Sequence, residues 1–224
     1  MAVSSPVAKY VISDELAMRR KVPSVEGVKF IVEEGMKLEC VKIKIEQVLD
    51  SVPDKSKVTF FIIAGSWNIT ASYNNWSSED FQDLSVSSVK AKRLPLLQKA
   101  IEDFKGHLNK IKSLSKKNKC RVVISSLIPI PDEQDCYAPN LGSHGFMVDL
   151  VSTLFVECTK LVHNFNGGES RTPFLAKYLI KGTKHKYHTG QYKIKTASYD
   201  SDSLPSKEAQ RKMIDWLILE LRKL

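Results

Sequence analysis

The residues of this chain that could do chemistry are few, and the most suggestive follow an unbroken apolar run. Between Lys57 and Thr70 the sequence reads KVTFFIIAGSWNIT. Val58 to Ala64, rich in aromatic and β-branched residues, predicts a strand buried on both faces. Gly65 permits a sharp turn, and polar Ser66, Asn68 and Thr70 follow it. Ligands of open α/β sheets bind beyond the carboxyl ends of the strands, which is where an Asn68 amide would project. The competing reading is that Gly65 and Asn68 only make the turn.

Other reactive types are scattered. His107 falls on the polar side of a predicted helix, His163 near a helix end and His144 in a Pro/Gly loop. His185 and His188 belong to a basic segment, better suited to lying beside an anion than to relaying protons. None has an evident nucleophile to activate. There is no P-loop, GxGxxG or HExxH pattern, and no cofactor is expected. Cys40, Cys120, Cys136 and Cys158 lack CxxC or metal-ligand spacing, so free thiols and no metal site are expected. Asn68-Ile-Thr70 and Asn75-Trp-Ser77 match the glycosylation pattern by chance if the chain has no secretory route. The remaining group is Lys181 to Lys195, where Lys181, Lys184, Lys186, Lys193 and Lys195 alternate with Tyr187 and Tyr192. Ammonium groups interleaved with rings suit a single-stranded nucleic acid, the lysines on phosphates and a tyrosine stacked on a base.

The elements that must position these groups alternate. Ala8–Ile12, Val28–Val32, Val58–Ala64 and Arg121–Ser126 predict strands, and Thr172–Ile180 is assigned as a fifth, with a short helix as the alternative. Asp14 caps a predicted basic helix from Leu16 to Lys21. A second helix follows Gly35 and runs to about Val52, with Leu38, Val41, Ile45 and Val48 on one face. Pro95 opens a long helix to about Ser115, with Leu97, Ile101, Phe104, Leu108 and Ile111 as its apolar stripe. Phe146–Phe165 and a final helix capped by Ser206 complete the set. Ser66 to Ser88, with Tyr73, Trp76 and Phe81, is expected to be a long loop that packs over something or works at the site. Strands alternating with helices predict a single α/β domain over residues 1–224 with a mainly parallel five-stranded sheet, residues 1–7 being flexible.

Composition narrows the function classes. Apolar residues make up 42% of 224 and charged residues 26%, ordinary for a globular chain. No apolar run approaches the ~20 residues of a membrane span. The first residues show no basic region followed by an apolar segment, so a cytoplasmic location is expected. The net charge of +9 favours acidic partners, nucleic acid foremost.

The order and placement of four turns resembles the SGNH (GDSL-like) hydrolases, flavodoxin-like three-layer α/β/α esterases with short blocks at strand ends. Their Gly-Asp-Ser block aligns with Ser13-Asp14-Glu15, and the lone Gly after strand two with Gly35. Their Gly-x-Asn aligns with Gly65 and Asn68, with one extra residue. Their Asp-x-x-His aligns with Asp200-Ser-Asp-Ser203, before the last helix. The resemblance implies that Gly35 and Asn68 stand where the family forms its oxyanion hole. It also places Glu15 at the nucleophile and Ser203 at the histidine. Acyl transfer needs a hydroxyl activated by a base, and both are replaced. The chain is therefore similar to degenerate SGNH-like domains, a class that includes a basic RNA-binding domain of germ-plasm organisation.

What the resemblance implies is a pseudo-hydrolase. It would bind single-stranded RNA or mRNA untranslated regions through Arg19, Arg20, Lys21 and Lys181–Lys195. Proteins of cytoplasmic ribonucleoprotein granules would be its partners, with no membrane role. Two alternatives stay open. One is an active esterase with a rearranged site, using Ser13 or Ser203 with His144 or His188. The other is a protein-interaction module without RNA, presenting the Ser66–Ser88 segment.

Overall fold

The computed structural model describes residues 8–18, 22–74, 95–129, 145–201 and 204–223. Residues 1–7, Arg19, Arg20, Lys21, Trp76, Phe81, Cys136, His144 and Ser203 therefore lie outside the described residues.

Strands β1 (Ala8–Ser13), β2 (Val28–Val32), β3 (Val58–Ile63) and β4 (Arg121–Ile124) form one parallel sheet in the order β2-β1-β3-β4. This is the flavodoxin-like order through its fourth strand. Alternate residues of the apolar runs feed two cores. Tyr10, Ile12, Phe60 and Ile62 enter one, and Val11, Phe61 and Ile63 the other. Every residue of β3 is buried, because helices cover both faces of the sheet.

The first core is closed by α2 (Leu38–Ser51), α3 (Ser66–Asn74), α4 (Pro95–Asn118) and α5 (Gly145–Asn166). The expected stripes are found: Leu38, Val41, Ile45 and Val48 are buried on α2, and Leu97, Phe104, Leu108 and Ile111 on α4, where Ile101 is only partly buried. The second core is closed by α1 (Glu15–Met18) and α7 (Lys207–Lys223), the latter through Met213, Leu217 and Leu221. The result is a three-layer α/β/α arrangement. Asp14 Oδ1 accepts from the Leu16 N–H at 3.1 Å and Ser206 Oγ from the Ala209 N–H at 3.3 Å, the two caps expected from sequence.

Two expectations are corrected. Thr172–Ile180 is not a fifth strand of the main sheet; it contains a 3-10 turn, Leu175–Tyr178, that buries Leu175 and Ala176. Only β5 (Ile180–Lys181) follows, pairing antiparallel with β6 (Lys193–Ile194) in a separate two-stranded ribbon. Among the described residues the sheet thus has four strands. The outer edge of β4 is met instead by a side chain. The Asn166 amide donates to the Ile124 carbonyl at 2.7 Å and accepts from the Ile124 N–H at 3.1 Å, as a neighbouring strand would. The second correction concerns Ser66–Asn74, which is helix α3 rather than loop. Its polar composition hides an i, i+4 pattern, Ser66–Thr70 and Ile69–Tyr73, all four buried.

Candidate functional site

The carboxyl ends of β1, β2 and β3 are neighbours, Ser13 pairing with both Val32 and Ile63. This register brings together three of the four sequence blocks. Gly35 lies just beyond β2 with φ +62, a conformation a side chain disfavours. Gly65 lies beyond β3, where a Cβ would stand 3.0 Å from Leu127 Cδ2 and 3.4 Å from the Phe104 ring.

Gly35 and Asn68 both hydrogen-bond within the protein at this corner. The Gly35 N–H donates to Glu15 Oε2 at 2.7 Å. Asn68 Oδ1 accepts from the Leu38 N–H at 2.9 Å, and Asn68 Nδ2 donates to Glu39 Oε2 at 3.0 Å. Lys37, at the cap position of α2, makes no side-chain cap, so Asn68 supplies the missing acceptor from a different helix. His107 Nε2 lies 3.7 Å from the same Glu39 oxygen. Asp14 is wholly enclosed; burial foremost, then the charge of Glu15, raises its pKa well above the usual carboxylate value, while the Leu16 N–H opposes them.

The start of α7 reaches the same end of the molecule, and the last turn before it is closed on itself. Gln210 Nε2 on α7 donates to the Glu15 carbonyl at 3.2 Å, and the Asp200 N–H donates to the Leu204 carbonyl at 2.8 Å. Ser13 is fully buried and its hydroxyl donates to the Asp14 carbonyl.

The basic segment is divided by the fold. Lys181 and Lys193 are exposed and face each other across the β5–β6 ribbon. Lys186 is exposed on α6 (Lys184–His188), its Cβ 3.6 Å from where a side chain on Gly182 would begin. Lys184 is differently engaged. Its ammonium donates to the carbonyls of Glu169 and Thr172, and burial lowers its pKa. Lys195 donates to the Lys177 carbonyl at 3.2 Å.

Tyr187, expected to stack on a base, is instead fully buried. Its hydroxyl donates to the Leu127 carbonyl at 2.5 Å and its ring packs against Phe155, Phe174 and Tyr192. The basic letters on either side of it gave no sign that this ring is a core residue.

A cluster that the sequence did not suggest lies beneath the ribbon. The rings of His163 on α5 and His188 on α6 are both 6% exposed, with centroids 3.7 Å apart. His188 Nδ1 faces Glu169 Oε2 at 3.0 Å. Burial, and then the charge of His188, pushes His163 down to about 4. His188 is lowered by burial against the pull of Glu169. Both imidazoles are therefore neutral near neutral pH and closed to solvent, which suits packing rather than proton transfer to a ligand. Among the described residues no three His, Cys, Asp or Glu side chains are placed to hold a metal ion, and no helix is long and apolar enough to cross a membrane.

No protein-family profile and no curated protein matches the sequence. Solved structures do match the fold. A GDSL-like lipase of Bacteroides thetaiotaomicron superposes with a TM-score of 0.54 at 12% identity, over 98% of this chain and 91% of that one. A candidate acylhydrolase of Bacteroides fragilis superposes with a TM-score of 0.51 at 11% identity, over 96% of this chain and 88% of that one. The α/β fold of this chain is that of the SGNH-like hydrolases.

Proposed function

We propose that this chain is a catalytically silent SGNH-like domain that binds single-stranded RNA through the exposed lysines of its basic ribbon and recruits proteins to a cytoplasmic ribonucleoprotein assembly. The observation that carries the reading is the Glu15 carboxylate on the Gly35 N–H. An oxyanion hole works by leaving donors free for the charge that develops on a substrate oxygen. Here a carboxylate stands on one such donor, and Glu39 accepts from the other, Asn68. Glu15 also stands where the family resemblance places the nucleophilic hydroxyl. A carboxylate there is not the hydroxyl that a histidine base activates, and its charge disfavours a second anion beside it.

The RNA half rests on charge. Like charges directly opposite in a ladder are unfavourable, and Lys181 facing Lys193 is relieved when a phosphate lies between them. This combination resembles the C-terminal domain of Oskar, the insect germ-plasm organiser. The Ser13–His188 form of a rearranged esterase finds less support, because both side chains are buried and the Ser13 hydroxyl donates to backbone; Ser203 and His144 lie outside the described residues.

Two measurements test the proposal. A serine-reactive fluorophosphonate probe is expected to leave the wild-type protein unlabelled; stoichiometric labelling would reject the silent-site reading. Ultraviolet crosslinking to a fluorescent uridine-rich oligonucleotide, with peptide mapping, is expected to mark residues 181–195. Crosslinks confined elsewhere, or none under conditions where a control RNA-binding protein reacts, would reject the RNA reading.

A further inference from the structure

The outer edge of β4 is closed along only part of its length. The Ser125 N–H donates inward to the Ile62 carbonyl at 2.8 Å, so by strand alternation residues 122, 124 and 126 point their backbone groups outward. Ile124 is paired by the Asn166 amide, and the Ser126 N–H donates to the Pro173 carbonyl at 2.8 Å. Val122 has no such partner among the described residues. Beside it lies a cleft of about 590 Å³, in the place where one more strand would continue the sheet.

The walls of the cleft come from different layers. Phe165, at the end of α5, lines one side, and Phe61, Val123 and Pro173 line the other. Arg121 and Arg171 also line it. Both are exposed, and neither guanidinium is paired with a carboxylate among the described residues. Among the described residues Glu220 is the only acid of the lining, against two arginines.

We infer that this cleft is a docking slot for a short, extended, acidic segment of a partner protein, added to the sheet beside Val122. Three features converge on that occupant. The open N–H and C=O of Val122 offer main-chain hydrogen bonds to an extended peptide, continuing the pairing that Asn166 begins at Ile124. The side chains of an added strand alternate, so apolar ones would meet the Phe165 and Phe61 walls. A carboxylate on such a strand would find two fork-shaped donors, a geometry guanidinium groups match in bidentate fashion. The slot lies along the sheet edge and is lined by none of the residues of the strand-end corner or of the basic ribbon, so it is independent of both the silent-site and the RNA readings and can fail without them.

The test uses the whole chain and fluorescent capped hexapeptides in which valine alternates with aspartate, serine or lysine. Anisotropy is expected to show saturable binding of the aspartate peptide and weaker binding of the other two. N-methylation of alternate peptide bonds removes the ladder donors and is expected to weaken the aspartate peptide roughly tenfold or more. Arg121→Gln with Arg171→Gln is expected to weaken it by a similar factor while leaving the serine peptide unchanged. The two arginines are exposed, so this variant should fold, and circular dichroism checks that it does. Amide shifts of Val122 and Val123 in an NMR titration would place the peptide. Each of these outcomes would overturn the inference: no saturable binding of the aspartate peptide, indifference to N-methylation, indifference to the arginine pair, or sedimentation showing that a second copy of the chain occupies the edge. Displacement of the peptide by a single-stranded oligonucleotide that needs the same arginines would reassign the cleft to nucleic acid and likewise overturn it.

Discussion

Asp14 sits inside the protein one residue after β1 ends, where burial favours its neutral form. The sign of the consequence follows from linkage. Its pKa is raised in the folded state, so above the unfolded value of about 3.9 the folded chain binds more protons, and stability falls as pH rises. Asp14→Asn keeps an oxygen for the Leu16 N–H and removes the ionisation. Its melting temperature is expected to exceed that of wild type at pH 8, with the advantage gone by pH 4; a variant less stable at both would contradict this. Tyr187 poses the opposite case, a ring whose role is structural. Tyr187→Phe strips the Leu127 carbonyl of its buried donor and is expected to cost roughly 1–2 kcal/mol in urea unfolding. Its RNA affinity should be unchanged, whereas a stacking residue would lose affinity.

Between elements, side chains do the joining. Asn68 of α3 caps α2, Asn166 of α5 closes part of β4, and His163 with His188 holds α6 against α5. The last contact is acid-sensitive. His163 is faced by His188 and Lys184 from α6 and by Glu169 from the turn before it. Its folded pKa lies near 4, against about 6.5 unfolded, so the unfolded chain binds more protons between those values. This contribution is present above pH 6.5 and is lost as pH falls toward 4, at most roughly 3 kcal/mol over the full window. Comparing wild type with His163→Leu isolates it from Asp14. Wild type should lose stability relative to the variant between pH 7 and pH 4.5, and parallel curves would refute the assignment.

For the molecule as a whole, the decisive quantity is where the +9 charge is free to act. Lysines held by backbone carbonyls, Lys184 and Lys195, are already committed to the fold. Lys181, Lys186 and Lys193 remain exposed. Phosphate contacts release counterions, so log K should fall with log salt by about 0.7 for each phosphate neutralised on a single strand. Replacing these three lysines by alanine should flatten that slope by about two to three contacts' worth while the protein stays folded. Lys184→Ala should lower stability more than slope. An unchanged slope in the triple variant would remove the ribbon from the binding surface.

What the sequence determined by itself is whatever depends on near neighbours. The apolar runs of β1 to β4, the stripes of α2 and α4, and the caps at Asp14 and Ser206 all depend on residues within a few positions of one another. The order of the turns was likewise legible, because strand ends and their glycines are local features. The tertiary structure decided everything that depends on a distant partner. Tyr187 is core because it meets Leu127, 60 positions away. Asn68 is a cap because Leu38, 30 positions away, needs an acceptor. Thr172–Ile180 fails as a strand because Asn166 and Pro173 already hold the outward groups of Ile124 and Ser126. A buried polar group must find a partner wherever the chain brings one, and periodicity along the sequence carries no record of which partner that will be.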